Sequence, residues 1–326
     1  MSENRKNSTV AETIEKIKEA DKCVIFTHTC TDGDALGAAL ALQRQMRALG
    51  KDAEVAVDSK VPDSFMYLDD MHGILHDIPR DSYDTFIAVD CASADVLGKF
   101  RDAFMGFKGV TVNIDHHSYN TRFAQFNRIG VCCSCCELLT DMFRKAGWET
   151  DAATASLLML GLMTDSGRLT HMDVTAKSCM TAGYLCSCGA DPYSIYENVY
   201  GKKSDEIVIL HNAVMRSMKR FCTGKVAVIT VHNSDFEKDG LDRSVTEGFE
   251  YYPLAWKRVQ VSVLLKEQEG GSCFKAFLRS KAADLRPVAK KFGGSGRELA
   301  CSCLLTGTEE ECLNAVVDAL AAVLDI

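Results

Sequence analysis

The sequence has little of what marks linkers, membrane spans and disordered segments. Only 5 of its 326 residues are proline, and no low-complexity tract occurs. The longest apolar run, residues 157–163, is far shorter than the ~20 apolar residues that a membrane-spanning helix needs. With 47% hydrophobic and 25% charged residues, the chain can fill complete apolar cores. Its length predicts two domains of ordinary size.

No secretion signal is visible, because the segment Met1–Ser8 is polar and lacks an apolar core, so we expect a cytoplasmic protein. In that compartment the 15 cysteines are expected to be reduced thiols. The cluster at 132–136 has no second cysteine pair at a matching distance, and we interpret it as small buried thiols on a core helix. The same interpretation is given to Cys186, Cys188, Cys301 and Cys303.

The net charge of −8 argues against a protein that coats nucleic acid broadly. The distribution is uneven, because residues 257–300 contain ten lysines and arginines but only four acidic residues. Two interpretations of this basic segment stay open. It either holds a small phosphorylated ligand or forms an ordinary solvated surface.

Strand-like apolar segments alternate with helical patterns in the first half of the chain. The alternation predicts an α/β fold with a doubly wound parallel sheet, followed by a smaller α/β domain. The predicted strands of the first sheet are 22–27, 54–57, 85–89 and 110–114, and those of the second domain are 226–231, 259–265 and 274–278. Helices are predicted at 10–20, 35–49, 132–146, 151–163, 178–188, 193–200, 204–220, 284–292 and 309–324. The predicted domains are 1–192 and 221–326, with a helical connector at 193–220.

Ionisable side chains follow three of the predicted parallel strands and one helix. They are His28, Asp32 and Asp34 after the first strand, Asp90 after the third, Asp115, His116 and His117 after the fourth, and Asp165 at the end of a helix. The carboxyl ends of parallel strands meet at one edge of a sheet, so these side chains are expected to converge.

Six of them, the imidazoles of His28 and His116 and the four carboxylates other than that of Asp115, match a pair of divalent ions, which we expect to be Mn²⁺. Two ions ~3.5–4 Å apart can share a hydroxide nucleophile and clamp a phosphate, with Asp90 as the bridging ligand. The alternative is that the six residues are scattered or paired with distant cations. That is reasonable for any one carboxylate but weak for a whole set at strand ends.

The motifs in residues 20–170 resemble those of the DHH phosphoesterase superfamily. These are His28-x-x-x-Asp32-Gly-Asp34, Asp90 after an apolar strand, Asp115-His116-His117 and Thr164-Asp165-Ser-Gly167. The resemblance implies that one ion is bound by His28, Asp32 and Asp90. It implies a second ion bound by Asp34, Asp90, His116 and Asp165. It further implies that His117 faces the substrate phosphate as a proton donor, and that Asp115 orients the histidines.

The second domain resembles the DHH-associated substrate-binding domain. The resemblance rests on Arg279-Ser280 and on the run Gly293-Gly294-Ser295-Gly296-Arg297. It implies that the glycines let backbone N–H groups approach a phosphate and that Arg279 binds this phosphate with two donors. Arg297 stands where the family usually has histidine. That difference concerns substrate preference more than hydrolysis, because arginine does not change its charge near neutral pH.

The length and domain order resemble the nanoRNase and 3′-phosphoadenosine-5′-phosphate phosphatase group. This resemblance implies a metal-dependent phosphodiesterase or phosphatase that acts on short RNA or on mono- and dinucleotides, with no membrane partner, and a homodimer by analogy. Two other functions stay open at this point. One is a phosphodiesterase for cyclic or linear dinucleotides, and the other is a catalytically silent nucleotide-binding regulator.

Overall fold

The computed structural model describes residues 6–78, 83–238, 240–246, 248–268 and 270–325. The chain forms two compact units, one up to Lys202 and a second from Lys203. This division falls inside the segment 193–220 that the sequence predicted to be a connector, so its parts belong to both units. Among the described residues, no helix has the length and apolar character needed to cross a membrane.

The first unit is built on a six-stranded parallel sheet with the strand order β3-β2-β1-β4-β5-β6. The strands are β1 Lys22–Phe26, β2 Asp52–Ala56, β3 Ile74–Leu75, β4 Thr85–Val89, β5 Val110–Asp115 and β6 Phe126–Ile129. Every pairing between neighbours in this sheet is parallel. The order runs outward in both directions from β1 and β4, which places the carboxyl ends of β1, β4 and β5 side by side.

Helices and apolar cores lie on both faces of this sheet, which confirms the predicted doubly wound α/β fold. One core contains most of the buried leucines of the helices, and the other is aromatic, around Phe26, Phe86 and Phe104. The helices of the first unit are α1 Val10–Glu19, α2 Gly33–Ala48, α3 Arg101–Gly106, α4 Cys135–Ala146, α5 Ala152–Asp165, α6 Ala176–Ser187 and α7 Pro192–Tyr196.

Capping residues set where helices α1 and α4 begin and end. Thr9 and Glu12 form the capping box that their spacing predicted. The α4 helix begins at Cys135 rather than at 132, because Ser134 is its N-cap and accepts a hydrogen bond from the N–H of Glu137. It ends at Ala146 and is followed by the C-cap Gly147, whose φ of 67° belongs to the left-handed region that favours glycine.

The second unit contains a mixed six-stranded sheet with the strand order β11-β12-β10-β9-β8-β7. Its strands are β7 Lys219–Phe221, β8 Val226–Val231, β9 Val261–Glu267, β10 Cys273–Ser280, β11 Ser295–Gly296 and β12 Ala300–Thr306. Its helices are α8 Asp205–Arg216, α9 Asn233–Glu237, α10 Arg286–Lys291 and α11 Glu309–Val323. The β8–β9 pair is parallel and the other pairs are antiparallel.

The cysteine predictions are confirmed in part. All 15 cysteines are free thiols, as expected. Cys135 and Cys136 are buried on α4, but Cys186 on α6 is exposed. Cys301 and Cys303 are buried on strand β12 rather than on a helix, so the helical interpretation of this pair was wrong. Their alternation with Ser302 places both thiols on the buried face of the strand.

Candidate active site

His28 and Asp32 lie on the loop between β1 and α2. The Asp32 carboxylate caps α2 by accepting hydrogen bonds from the N–H groups of Asp34 and Ala35, both at 3.0 Å. The Nε2 atom of His28 lies 3.8 Å from Asp32 Oδ1 and 3.6 Å from Asp90 Oδ2. One ligand atom from each of these three residues falls within a sphere that suits a single metal ion.

Asp90 follows β4 in a backbone conformation that is costly for an aspartate, with φ of 56°. Its side chain is 4% exposed, and its Oδ1 is buried without a hydrogen-bond partner among the described residues. Oδ1 lies 3.4 Å from His116 Nε2, whereas Oδ2 faces His28. A strained backbone and a buried carboxylate oxygen without a donor are typical of a residue kept for function.

A second group of ligand atoms comes from Asp34, His116 and Asp165. The Nε2 atom of His116 lies 3.3 Å from Asp165 Oδ2, while its Nδ1 donates a hydrogen bond to the carbonyl of Cys132 at 2.9 Å. Both oxygens of the buried Asp34 carboxylate accept hydrogen bonds from the first N–H groups of α4, those of Cys135 and Cys136. These contacts fix the ring and the carboxylate toward one point.

His117 is oriented by a network of one buried carboxylate and two amide side chains. Its Nδ1 lies 2.7 Å from Asp115 Oδ1, and Asp115 is fully buried. The Nδ2 of Asn120 donates to the other Asp115 oxygen at 2.7 Å, and it also lies 2.8 Å from Asn113 Oδ1 and 2.9 Å from the carbonyl of Cys91. Asn120 thus links the loop after β4 to the loop after β5. The sequence analysis missed it, because an asparagine in a polar loop carries no signal of such a role.

The charges at this edge of the sheet depend on one another. Burial would lower the pKa of His28 and of His116, but the carboxylates close to their rings, Asp90 and, for His28, Asp32, outweigh that effect. They raise the pKa of His116 to about 10 and that of His28 well above its usual value. Burial, followed by the charges of Asp90 and Asp165, raises the pKa of Asp34 well above its usual value. These shifts have one cause in common, which is that several carboxylates lie close together and favour positive charge beside them, from protons or from divalent cations.

The structure brings together the six residues predicted as metal ligands: His28, Asp32, Asp34, Asp90, His116 and Asp165. His28 and Asp32 form one group, and Asp34, His116 and Asp165 form the other. Asp90 lies between them, with Oδ2 facing His28 and Oδ1 facing His116. Imidazole and carboxylate ligands with a bridging carboxylate suit two borderline-to-hard divalent ions. The residues present therefore fit the predicted metal pair, whose assignment stays a prediction.

In the second unit, Arg279 lies on the half-exposed face of strand β10 and forms an ion pair with Glu250, at 2.8 Å between Nη2 and Oε1. Ser280 points to the opposite, buried face, and its hydroxyl accepts hydrogen bonds from the N–H groups of Ala282 and Ala283. Ser280 therefore shapes the turn after β10 and does not share a face with Arg279.

The predicted phosphate nest of the glycine run is not what the backbone forms. The N–H groups of Gly293 and Gly294 donate to the carbonyls of Lys290 and Ala289 at the end of α10, and the N–H of Arg297 donates to the carbonyl of Ala300. A side chain on Gly294 or Gly296 would clash with β12, against which β11 packs. These glycines thus end a helix and allow close strand packing, whereas the Arg297 side chain is exposed.

Residues 22–162 match the N-terminal domain of the DHH family. This segment of the chain is a DHH domain. The match spans all six strands of the first sheet and all of the predicted ligand residues except Asp165.

Similarity to known proteins extends beyond the DHH domain. The "Bifunctional oligoribonuclease and PAP phosphatase NrnA" of Mycoplasma genitalium is 23% identical over 333 residues, covering 94% of this chain and 95% of that protein. An exopolyphosphatase-related protein from Bacteroides fragilis, solved by crystallography, has a TM-score of 0.89 at 26% identity and covers 96% of this chain and 95% of that one. RecJ from Thermus thermophilus, in complex with Mn²⁺, shares the fold with a TM-score of 0.57 at 14% identity, covering 97% of this chain and 55% of RecJ.

Proposed function

We propose that this chain is a two-metal phosphoesterase that hydrolyses short oligoribonucleotides and 3′-phosphoadenosine-5′-phosphate in the cytoplasm. The class of enzyme, a metal-dependent phosphoesterase, follows from the DHH domain and from relatives that align over nearly the whole chain. The single observation that carries the proposal is Asp90, whose two oxygens face two separate groups of ligand atoms. The names of the curated relatives support the two substrates.

The ligand set supports two ions, which we propose to be Mn²⁺. His28, Asp32 and Asp90 would hold one, and Asp34, Asp90, His116 and Asp165 the other. Bound ions would supply Lewis acidity toward the phosphate and lower the pKa of an attacking water. Hydrogen bonds from the α4 backbone to Asp34 and from His116 to the Cys132 carbonyl would keep these ligands in place while charge develops.

His117 is proposed to deliver the proton to the leaving oxygen. Its contact to Asp115 through Nδ1 leaves Nε2 as the ring atom that can address a substrate. Asp115 holds the ring orientation in the way that a buried carboxylate holds a catalytic histidine elsewhere. The second unit is proposed to bind the rest of the substrate through Arg279 and Arg297, with the run Gly293–Gly296 shaping the adjacent surface.

The test is a side-by-side assay in Mn²⁺ of 3′-phosphoadenosine-5′-phosphate, 5′-labelled RNA dimers to pentamers, and a cyclic dinucleotide. Asp90→Asn is expected to lower kcat by roughly 10³-fold, because a ligand shared by both ions is worth several kcal/mol in the transition state. Asp102→Asn, an exposed carboxylate of the same unit, is the matched control and should keep wild-type rates. Turnover by Asp90→Asn at wild-type rates would refute the two-metal proposal. Tight nucleotide binding without turnover by the wild type would instead support a silent regulator.

A further inference from the structure

The guanidinium of Arg279 is held on several sides. Its Nη2 forms the ion pair with Glu250, its Nη1 donates to the carbonyl of Leu278 at 3.0 Å, and its Cζ lies 5.0 Å from the centre of the Tyr251 ring. Its Nε is buried and has no hydrogen-bond partner among the described residues. The planar group therefore lies over the tyrosine ring in a fixed orientation.

Glu250 is an unusual partner, because its carboxylate is almost completely buried, with 4% of the residue exposed. It lies in the short 3₁₀ segment Phe249–Ala255, anchored by the fully buried ring of Phe249. A buried carboxylate is strongly disfavoured unless a cation neutralises it. Arg279 supplies that cation, so the pair has a net charge close to zero and resists separation.

This arrangement is poorly suited to a phosphate. A phosphate takes two parallel N–H donors from an arginine, but here Nη2 is occupied by Glu250 and Nε is closed to solvent. The residues beside Arg279 on the adjoining strands, Ser262 and Ala300, are small and uncharged. A doubly charged phosphate would thus meet an arginine whose positive charge is already neutralised, next to the buried carboxylate of Glu250.

The same arrangement suits a flat, uncharged ligand. About a fifth of the Arg279 side chain remains exposed, and Tyr251 is 41% exposed beside it. Arginine planes and aromatic rings are the surfaces on which unpaired nucleobases stack. Stacking needs no net charge, and it benefits from a guanidinium whose orientation is fixed in advance.

We propose that Glu250 is a positioning and specificity-determining residue that turns Arg279 from a phosphate clamp into a stacking surface for a nucleobase. The second unit then binds the base of the substrate and gives no advantage to a terminal phosphate at that position. This inference rests on the proposed function, because it assigns Arg279 to the substrate of the same enzyme.

The test compares KM and kcat for a pair of RNA dimers, ApA and the 5′-phosphorylated pApA, in Mn²⁺. The wild type is expected to have KM values for the two dimers within about threefold of each other, because the compensated arginine adds no attraction for the phosphate. Glu250→Gln removes the compensating charge and should raise the ratio of KM for ApA to KM for pApA at least fivefold, with kcat changed less than twofold. A ratio that is unchanged or falls would overturn the proposal.

Two further variants keep the test decisive. Arg279→Lys keeps the charge but loses the plane, and should raise KM for both dimers tenfold or more. If Arg279→Lys keeps the same KM for pApA as the wild type, a nucleobase does not stack on the guanidinium of Arg279. Asp284→Asn breaks an exposed ion pair with Arg286 in the same unit, at 2.7 Å, and should leave the KM ratio unchanged.

Failure of the proposed function is distinguishable from failure of this inference. If the wild type turns over neither dimer, the proposed function fails. The ratio of dissociation constants for adenosine and AMP, measured on the full-length variants by calorimetry, then takes the place of the KM ratio with the same expected direction. Glu250→Gln must favour AMP over adenosine relative to the wild type, and equal ratios would refute the inference.

Discussion

Asn120 contacts none of the predicted metal ligands, yet it holds the Asp115 carboxylate that orients His117. Its Nδ2 donates a hydrogen bond to Asp115 Oδ2, the oxygen of the buried carboxylate that does not face His117. Its Oδ1 accepts a hydrogen bond from the N–H of Arg122. Arg122 has a φ of 53°, so this hydrogen bond supports a turn that is costly for a residue with a side chain. Without Asn120, a buried carboxylate oxygen would lose its donor and the turn its support.

We predict that Asn120→Ala lowers kcat about 10–100-fold with a small change in KM, because the Asp115–His117 pair loses its fixed orientation. In a His117→Ala background the same substitution should have little further effect, since the group that it positions is gone. Steady-state kinetics of the two single variants and the double variant measure this coupling. Asn198→Ala, which removes an asparagine side chain that makes a solvent-exposed hydrogen bond to the carbonyl of Ser194, is the control. Additive losses in the double variant would mean that Asn120 acts only on stability.

At the scale of elements, the approach of helices α2 and α5 connects packing to the site. A side chain on Gly37 of α2 would clash with the carbonyl of Leu157 on α5. A side chain on Gly161 of α5 would clash with the Cys136 thiol and with the Asp34 carboxylate, at 2.5 Å from Oδ1. Glycine at these two positions lets the helices lie close together, with a predicted metal ligand in the contact.

Gly161→Ala is therefore predicted to destabilise the protein by about 1–3 kcal/mol through overpacking. It should also weaken Mn²⁺ binding, because the added methyl group displaces Asp34. Urea denaturation and Mn²⁺ titration of the same preparation measure the two effects. Gly183→Ala in helix α6 is the matched control, because a side chain there meets no atom within 4 Å, and it should be neutral or slightly stabilising. Wild-type Mn²⁺ affinity in Gly161→Ala would contradict the link between packing and site.

The elements also show what a sequence can predict. Strands β4 and β5 were predicted because Thr85–Val89 and Val110–Asp115 are apolar and β-branched, as buried parallel strands are. Strands β6 and β12 were missed, because Phe126–Ile129 and Ala300–Thr306 have mixed polarity and become strands through pairing with their neighbours.

The site residues follow the same logic. The predicted ligands could be identified from the sequence because several carboxylates and imidazoles follow strand ends, where together they match a set of metal ligands. The contact of Glu250 with Arg279 joins residues far apart in sequence, and its only determinant is tertiary packing. The phosphate nest predicted for the glycine run has a related explanation, because the N–H groups of Gly293 and Gly294 bond to the end of α10 and that of Arg297 bonds to β12.

At the scale of the whole molecule, the charges of the site predict that bound metal ions stabilise the fold. Four carboxylates and two imidazoles converge in the first unit. In the metal-free protein, burial works against protonation of His116, but its carboxylate neighbours raise its pKa to about 10. Because the folded state raises the histidine pKa, it gains stability when the ring is protonated. This gain is complete at a pH below the pKa of histidine in the unfolded chain, and it is lost as the pH rises toward 10.

Mn²⁺ is predicted to raise the melting temperature, and the rise is predicted to grow between pH 6 and pH 9. A histidine ligand must lose its proton to bind an ion, so protons compete with Mn²⁺ less as the pH increases. At a free Mn²⁺ concentration about a hundredfold above Kd, the gain is about 2.7 kcal/mol, or roughly 5–10 °C. Calorimetry at several pH values measures the rise, and hydrogen exchange locates it. Protection should appear in β1, β4, β5 and α4 but not in the second unit, and Asp90→Asn should lose it. A rise that shrinks with pH, or equal protection of both units, would show that the stabilising ion binds elsewhere.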